Sequence, residues 1–157
     1  MHRNEVNPRI KDVAFDFFYW FSRFEFSLKE NGLLASHNVG TWAEPGWSEF
    51  IQQWHRVYVE SDAARELARL APRRQVVGSG GGLTWAHVDL KKCDSKLSET
   101  VLLLKTIRNN LFHGGKHGLD DWDDDERAAQ LLRCGRALLD ELASLSGAIE
   151  ADYKGSY

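Results

Sequence analysis

Residues 11–30 carry the clearest hydrophobic pattern in the chain. Apolar and aromatic side chains fill most of this segment, and the polar ones recur at helical spacing, at Asp12, Asp16, Arg23, Ser27 and Glu30. Aromatic residues also favour strands, but the length of the segment and its polar row favour a helix. Asn31 and Gly32 are typical of a helix C-terminus. Since the segment is otherwise apolar nearly all round, we expect this helix to be central in the fold.

Two short helices are predicted after a loop over 31–46. The first covers about 47–59, and its apolar side consists of Phe50, Trp54 and Val57. The second covers about 61–70. Ser61 is a typical N-cap, and Pro72 stops the helix because it cannot continue the backbone hydrogen bonding.

Two longer helices are predicted in the second half of the chain. One starts near Asp94 or Ser95 and runs to Gly114. The other covers about 124–151, and the tail 154–157 is expected to fray. The apolar side of this last helix consists of Ala128, Leu131, Leu132, Leu138, Leu139, Leu142 and Leu145.

The segment 73–90 differs from the helical remainder. Two short apolar stretches, 75–77 and 83–85, flank the glycine-rich residues 78–82. This pattern predicts a short β-hairpin or an ordered loop. A phosphate-binding loop is disfavoured, because no Gly-Lys-Ser/Thr follows the glycines and no helix follows directly. The fold class expected is therefore an all-α bundle of about five helices with this insertion, in a single domain over 1–157.

Composition narrows the functional classes. Hydrophobic residues make up 43% of the chain and charged residues 27%, and the formal net charge is -3. The chain is therefore no generally basic nucleic-acid binder, and any RNA contact must be local. Cys93 and Cys134 have no metal-ligand spacing, so we expect free thiols in a reducing compartment. The sequence has no apolar signal core and no run that would span a bilayer, so a cytoplasmic protein without membrane contact is expected.

The end of the fourth predicted helix, within residues 107–116, concentrates chemically useful side chains. Arg108, Asn109 and His113 lie in its last turn and a half. A histidine there feels the negative end of the helix dipole, which favours its protonated form. An arginine offers a planar cation suited to phosphate. These side chains suit phosphodiester chemistry without a metal.

Two groups of residues resemble metal ligands, but both have another interpretation. His113 and His117 are four apart, yet Gly114–Gly115 argue against a helix that would align them. The acidic run 120–126 lies where acids stabilise a helix N-terminus, with Asp123 as a plausible cap. We therefore expect no metal site and no cofactor.

Two charges interrupt apolar faces of the predicted helices. On a helical wheel, Arg108 falls level with Val101 and Leu104, within an apolar arc that also includes Phe112. Glu25 lies on the first helix, well away from its polar row. A charge on an apolar face is costly unless it is paired. Because the two charges are opposite, we propose that they meet. A local solvent gap for Glu25 is the alternative to this pairing, and a purely structural salt bridge is the alternative to a functional role for Arg108.

The segment 108–113 resembles the motif of the HEPN superfamily (higher eukaryotes and prokaryotes nucleotide-binding). That motif is an arginine, usually a polar residue, three further residues and a histidine, near the end of a late helix. The long aromatic first helix, around 21–25, is also similar. Some toxins of the family carry a tyrosine two residues after the histidine, where this chain has Gly115, so regulation through modification of that tyrosine is not supported.

The resemblance implies roles for individual residues. His113 would act in acid–base chemistry, Arg108 would bind and polarise the scissile phosphate, and Asn109 would orient these groups or bind the phosphate. We also expect Glu25 and Lys116 to be substrate-binding or supporting residues. The resemblance also implies a helical bundle that dimerises, so that two copies of the motif form one composite cleft.

Three functions remain open at the sequence level. The first is a metal-independent endoribonuclease with RNA as substrate, acting as a homodimer, as in toxin–antitoxin or anti-phage systems, where an antitoxin would be a partner. The second is a non-catalytic module that binds RNA, a nucleotide or a protein. The third is a helical assembly protein whose motif forms a buried polar network. The acidic net charge favours the second, and the presence of both Arg108 and His113 favours the first.

Overall fold

The computed structural model describes residues 8–112 and 125–155, and this part of the chain is mostly helical with one two-stranded antiparallel sheet. Its elements, in chain order, are α1 (Pro8–Glu30), α2 (Trp47–Trp54), α3 (Asp62–Leu70), β1 (Arg73–Val77), β2 (Leu83–His87), α4 (Lys96–Phe112), α5 (Asp125–Ala143) and α6 (Gly147–Lys154). A short 3-10 turn over Leu90–Lys92 leads into α4. No helix in these ranges is both long and apolar enough to cross a membrane.

Helix α1 supplies one side of the core, as its apolar sequence predicts. Phe17, Phe21, Phe24 and Leu28 are buried at helical spacing and α1 packs mainly against α5 and α6. Helix α1 also has an exposed face, because Phe15, Phe18 and Tyr19 are exposed. They lie on the face of α1 turned away from α5 and α6.

Helix α2 is shorter than predicted. It ends at Trp54, whose carbonyl accepts hydrogen bonds from the amides of both Val57 and Tyr58, so the chain turns there. Val57 is consequently exposed and does not belong to an apolar helix face. Helix α3 begins as predicted behind Ser61, whose hydroxyl accepts a hydrogen bond from the Ala64 amide.

The single long helix predicted over 124–151 is wrong, since the chain forms two helices separated at 144–146. The Leu145 carbonyl, left outside the helical ladder by this break, accepts a hydrogen bond from Trp54 Nε1 at 2.9 Å. The break lets α6 pack against α1, where the Tyr153 carbonyl accepts from Arg23 Nε at 3.3 Å. The predicted cap Asp123 lies outside the described residues.

The β-hairpin predicted near 73–90 is confirmed. The register runs from Arg73 opposite His87 to Val77 opposite Leu83. At the tip, the Gly78 amide donates to the Gly82 carbonyl at 2.7 Å. The base of the hairpin is attached to α4, because Asn110 Nδ2 donates to the Arg73 carbonyl at 2.7 Å. The hairpin therefore lies beside the C-terminal end of α4.

Candidate functional site

The C-terminal half of α4 presents polar side chains on one side and core residues on the other. Val101, Leu104 and Ile107 are buried at helical spacing, which fixes the rotation of the helix. Arg108 lies between the directions of Val101 and Leu104 and is only partly buried, whereas Asn109 is exposed. Of the predicted site residues, His113 and Lys116 lie outside the described residues.

The Arg108 guanidinium has contacts on several sides but remains accessible. Its Nη1 donates to Asn109 Oδ1 at 3.0 Å. Its central carbon lies 5.7 Å from the centre of the Phe21 ring and 5.1 Å from that of Phe112, both within cation–π range. The side chain is nevertheless 37% exposed. Arg108 is thus held in one position while its guanidinium still reaches solvent.

Glu25 lies opposite Arg108, as the helical wheels predict. Arg108 Nη2 and Glu25 Oε2 are 3.9 Å apart, so the pairing of the two out-of-place charges is confirmed. The other carboxylate oxygen accepts a hydrogen bond from Trp47 Nε1 at 3.0 Å. Trp47 in turn packs against Phe21 and Phe24 of α1. The buried indole therefore fixes Glu25, and Glu25 positions Arg108.

Aromatic side chains next to Arg108 were not predicted as part of a site. Phe112 belongs to the apolar arc predicted for α4 to face a core or a partner, and it is 51% exposed in the single chain. Its ring meets that of Phe18 edge to face, with centroids 5.1 Å apart. Helical spacing alone groups Phe112 with the apolar residues of α4. It does not show which of these residues the neighbouring helices cover.

Lys105 is a second cation on this side of α4 that the sequence reasoning missed. It lies four residues before Asn109, so the two share one helix face. It lines a cavity of about 320 Å³, together with Leu34, Ala35, Glu44, Pro45, Gly46, Trp47, Ser48 and Glu49. Helical spacing alone could have predicted Lys105 as a neighbour of these residues, because it lies three residues before Arg108 and four before Asn109.

A second polar cluster lies on the opposite flank of α1 and joins three helices. Arg136 Nη1 lies 2.6 Å from Asp140 Oδ1, and its Nε lies 3.4 Å from Asp16 Oδ2. The guanidinium lies 4.4 Å from the centre of the Trp20 ring. The buried Tyr153 hydroxyl donates to Asp140 and accepts from Arg136, and burial raises the pKa of this phenol. These contacts connect α1, α5 and α6, which gives the cluster a structural role.

We call Arg108, Asn109 and Lys105 the α4 site. Its two cations and its amide suit the recognition of an anion. Within the described ranges, no three His, Cys, Asp or Glu side chains are grouped as metal ligands. Cys93 and Cys134 are free thiols, as predicted. Searches of protein-family models, curated proteins and solved structures found no match to this chain.

Proposed function

We propose that this protein is a metal-independent endoribonuclease of the HEPN type, acting through Arg108, Asn109 and His113. The observation that carries the proposal is the setting of Arg108. Its guanidinium is positioned by Glu25, Asn109 and two aromatic rings, yet it is open to solvent, five residues before a histidine. A guanidinium that is held in place and still reaches solvent can bind a phosphate.

In the proposed reaction, the 2′-hydroxyl of the RNA attacks the adjacent phosphorus. The bond from the 2′-oxygen to phosphorus forms while the bond from phosphorus to the 5′-oxygen breaks. A general base takes the 2′-hydroxyl proton, and a general acid protonates the departing 5′-oxygen. The products are a 2′,3′-cyclic phosphate and a 5′-hydroxyl. Arg108 stabilises the charge that builds on the phosphate oxygens, and Asn109 hydrogen-bonds the same group.

One histidine cannot easily act as base and acid in the same step. We therefore include in the proposal a homodimer in which His113 of each copy contributes to one composite cleft. Glu25 acts as a positioning residue for Arg108, and Lys105 and Lys116 supply further positive charge to the RNA backbone. Action on cellular RNA would place the protein in the cytoplasm, where an antitoxin would be a natural partner.

Cleavage of a mixed RNA pool in the presence of EDTA tests the proposal. Wild type should cut and leave cyclic-phosphate ends, whereas His113→Ala and Arg108→Ala should remain folded and inactive. His55→Ala and Arg133→Ala are matched controls, since both residues are exposed and lie away from the α4 site. These two variants should cut like wild type. Equal cutting by all five proteins would refute the assignment, because the activity would then be independent of the motif.

A non-catalytic binding module is the second candidate, and one observation favours it. The Arg108 guanidinium is already paired with Glu25 and hydrogen-bonded to Asn109, in a chain of net charge -3. A guanidinium in this setting suits the binding of an anion with moderate affinity and without catalysis. If no protein cuts but labelled RNA or nucleotide still binds in an Arg108-dependent way, this second function replaces the first.

A further inference from the structure

Strand β2 forms an open edge of the two-stranded sheet. At the tip of the hairpin, the Gly78 amide donates to the Gly82 carbonyl, and hydrogen-bonded and non-hydrogen-bonded pairs alternate from there along the antiparallel ladder. The backbone N–H and C=O groups of Leu83, Trp85 and His87 therefore point away from β1. In the part of the chain that the structure describes, no group outside the hairpin hydrogen-bonds to the backbone of these three residues.

The two edges of the hairpin differ in how they are covered. The edge formed by β1 faces α4, where the outward carbonyl of Arg73 accepts a hydrogen bond from Asn110 Nδ2 at 2.7 Å. Strand β2 packs mainly against β1, and its end residues Leu83 and His87 are exposed. Proteins commonly protect an open edge with a proline or a charged side chain. Strand β2 contains no Pro, Lys, Arg, Asp or Glu, so its edge is open to a further strand.

The hairpin and the turn after it carry a local excess of positive charge. Residues 73–92 contain four Lys or Arg side chains and a single acid, Asp89, in a chain of net charge -3. The Asp89 carboxylate is already engaged, because one oxygen accepts from the Lys91 amide at 3.1 Å and the other lies 4.0 Å from Lys92 Nζ. Both lysines are exposed and follow the His87 end of the open edge. These charges favour an acidic partner.

We infer that β2 binds an extended, acidic segment of a partner protein, which pairs with it as a third strand. This inference is independent of the proposed nuclease activity. An extended polypeptide offers donors and acceptors in the same alternation as the edge. In the antiparallel arrangement, which is the more stable per residue, the segment begins near Lys91 and Lys92 and ends beside the apolar tip, where Val77 is 73% and Leu83 68% exposed. The segment recognised therefore has acidic residues first and alternating apolar residues after them.

Two other occupants fit this edge less well. A nucleic-acid backbone would bring its phosphate oxygens against the outward carbonyls of Leu83, Trp85 and His87, and both groups are hydrogen-bond acceptors. A second copy of the chain would bring the positive segment 73–92 close to its own copy, and like charges oppose such pairing. An acidic strand satisfies both the hydrogen bonds and the charge.

Binding of a short fluorescent peptide to the full chain tests the inference. The peptide has a run of glutamates followed by alternating valine and threonine. Its twin carries N-methyl groups on the backbone amides of the alternating part, so it keeps the side chains and charge but offers no donor on either edge. Main-chain hydrogen bonds give the affinity in strand addition, so a peptide of this pattern is a fair probe. Leu83→Pro removes one outward amide of the protein, and Leu83→Val is the matched control because it keeps that amide.

Wild type should bind the peptide with a Kd below about 1 mM, and the N-methylated twin should bind at least about tenfold more weakly. Leu83→Pro should bind about fivefold or more weakly than Leu83→Val. Lys91→Gln with Lys92→Gln should weaken binding at low salt. Lys29→Gln with Lys154→Gln, which removes the same charge near the ends of α1 and α6, should not. Circular dichroism and thermal melting check that each variant is folded.

Hydrogen exchange gives a second readout of strand pairing. The amides of Leu83, Trp85 and His87 should exchange more slowly with the peptide bound, whereas those of Thr84 and Ala86 already point toward β1 and should change less. Absence of saturable binding overturns the inference, as does equal binding of the two peptides or by the proline and valine variants. Binding of labelled RNA but not of the peptide, dependent on the two lysines, overturns it in favour of a nucleic acid. A doubled mass in solution that Leu83→Pro abolishes, without peptide binding, overturns it in favour of a second copy.

Discussion

At the scale of single residues, two arginines make the same kinds of contact with opposite consequences. Arg108 and Arg136 each lie over an aromatic ring and beside a carboxylate. The pair made by Arg108 is long, at 3.9 Å, and its side chain is 37% exposed, whereas Arg136 is 21% exposed and lies 2.6 Å from Asp140. Long, partly exposed ion pairs contribute little to stability. Arg136 therefore forms the tighter ion pair, and the guanidinium of Arg108 is the more accessible of the two.

This contrast predicts opposite results for methionine at the two positions. Arg108→Met keeps an apolar stem between Phe21 and Phe112, so the free energy of unfolding should stay within about 1 kcal/mol of wild type while RNA cutting is lost. Arg136→Met deprives Asp140 and the Tyr153 hydroxyl of their cation and should lower stability by about 1 to 3 kcal/mol. Urea unfolding measures both. Equal destabilisation would mean that Arg108 is mainly a structural residue.

Gly135 of α5 lies directly against side chains of α1 and α4. A Cβ there would lie 2.6 Å from Phe17 Cε2 and 3.3 Å from Leu104 Cδ1, and Phe17 is fully buried. We expect Gly135→Ala to lower the free energy of unfolding by about 1 to 3 kcal/mol, because overpacking outweighs the higher helix propensity of alanine. Gly147→Ala is the matched control, since nothing lies within 4 Å of its added Cβ. Chemical unfolding should show no loss for this control; a loss at Gly147 or none at Gly135 would contradict the packing argument.

At the scale of elements, both ends of α3 are set by single residues. The Ser61 hydroxyl accepts from the Ala64 amide, and Ala71 closes the helix in the left-handed region at φ 45°. Ser61→Ala should lower stability by about 1 kcal/mol through loss of the cap. Ala71→Gly should raise it by about 1 kcal/mol, because glycine adopts this conformation without strain. Thermal unfolding should therefore shift in opposite directions, and a shift in the same direction would contradict the assignment of these caps.

The ends of helices could be predicted from sequence where residues at those ends determine them. The C-terminal end of α1 follows from Asn31–Gly32, and the start of α3 follows from Ser61. The break after α5 was missed because the apolar period continues through Leu142 and Leu145 to Ile149, so no change of pattern marks it. Trp54, which is distant in sequence, stabilises the break because its Nε1 donates a hydrogen bond to the Leu145 carbonyl. Such a contact is a property of the fold and is not visible in a sequence window.

At the scale of the whole molecule, the candidate site was predictable only in part. Glu25 and Arg108 could be paired from sequence, because each is a charge out of place on its own helix and the two are opposite in sign. The exposure of Phe18 and Phe112 beside Arg108 could not be predicted, because it depends on which neighbours cover these two rings. Helical periodicity places a side chain on a face, but only the assembled bundle decides which faces remain open.

Two tyrosines, the buried Tyr153 and the partly buried Tyr58, make the stability of the fold sensitive to alkaline pH. Burial raises the pKa of both Tyr58 and Tyr153 above the ordinary value of a tyrosine. In the unfolded chain these groups release protons near pH ~10, whereas in the folded protein they retain them to higher pH. The unfolded state then binds fewer protons, so the stability present below about pH 10 is lost as pH rises toward the folded-state pKa values. Each group contributes a slope of up to about 1.4 kcal/mol per pH unit.

Tyr153→Phe separates this effect from general alkaline unfolding. At neutral pH it should cost about 1 to 2 kcal/mol, because the hydrogen bonds to Asp140 and Arg136 are lost. Above about pH 10 the variant should lose stability less steeply than wild type, so the two curves converge. Tyr19→Phe, at an exposed ring, is the control and should follow wild type throughout. Urea unfolding from about pH 8 to 11 measures the curves, and parallel curves for Tyr153→Phe and wild type would show that ionisation of this phenol is not coupled to unfolding.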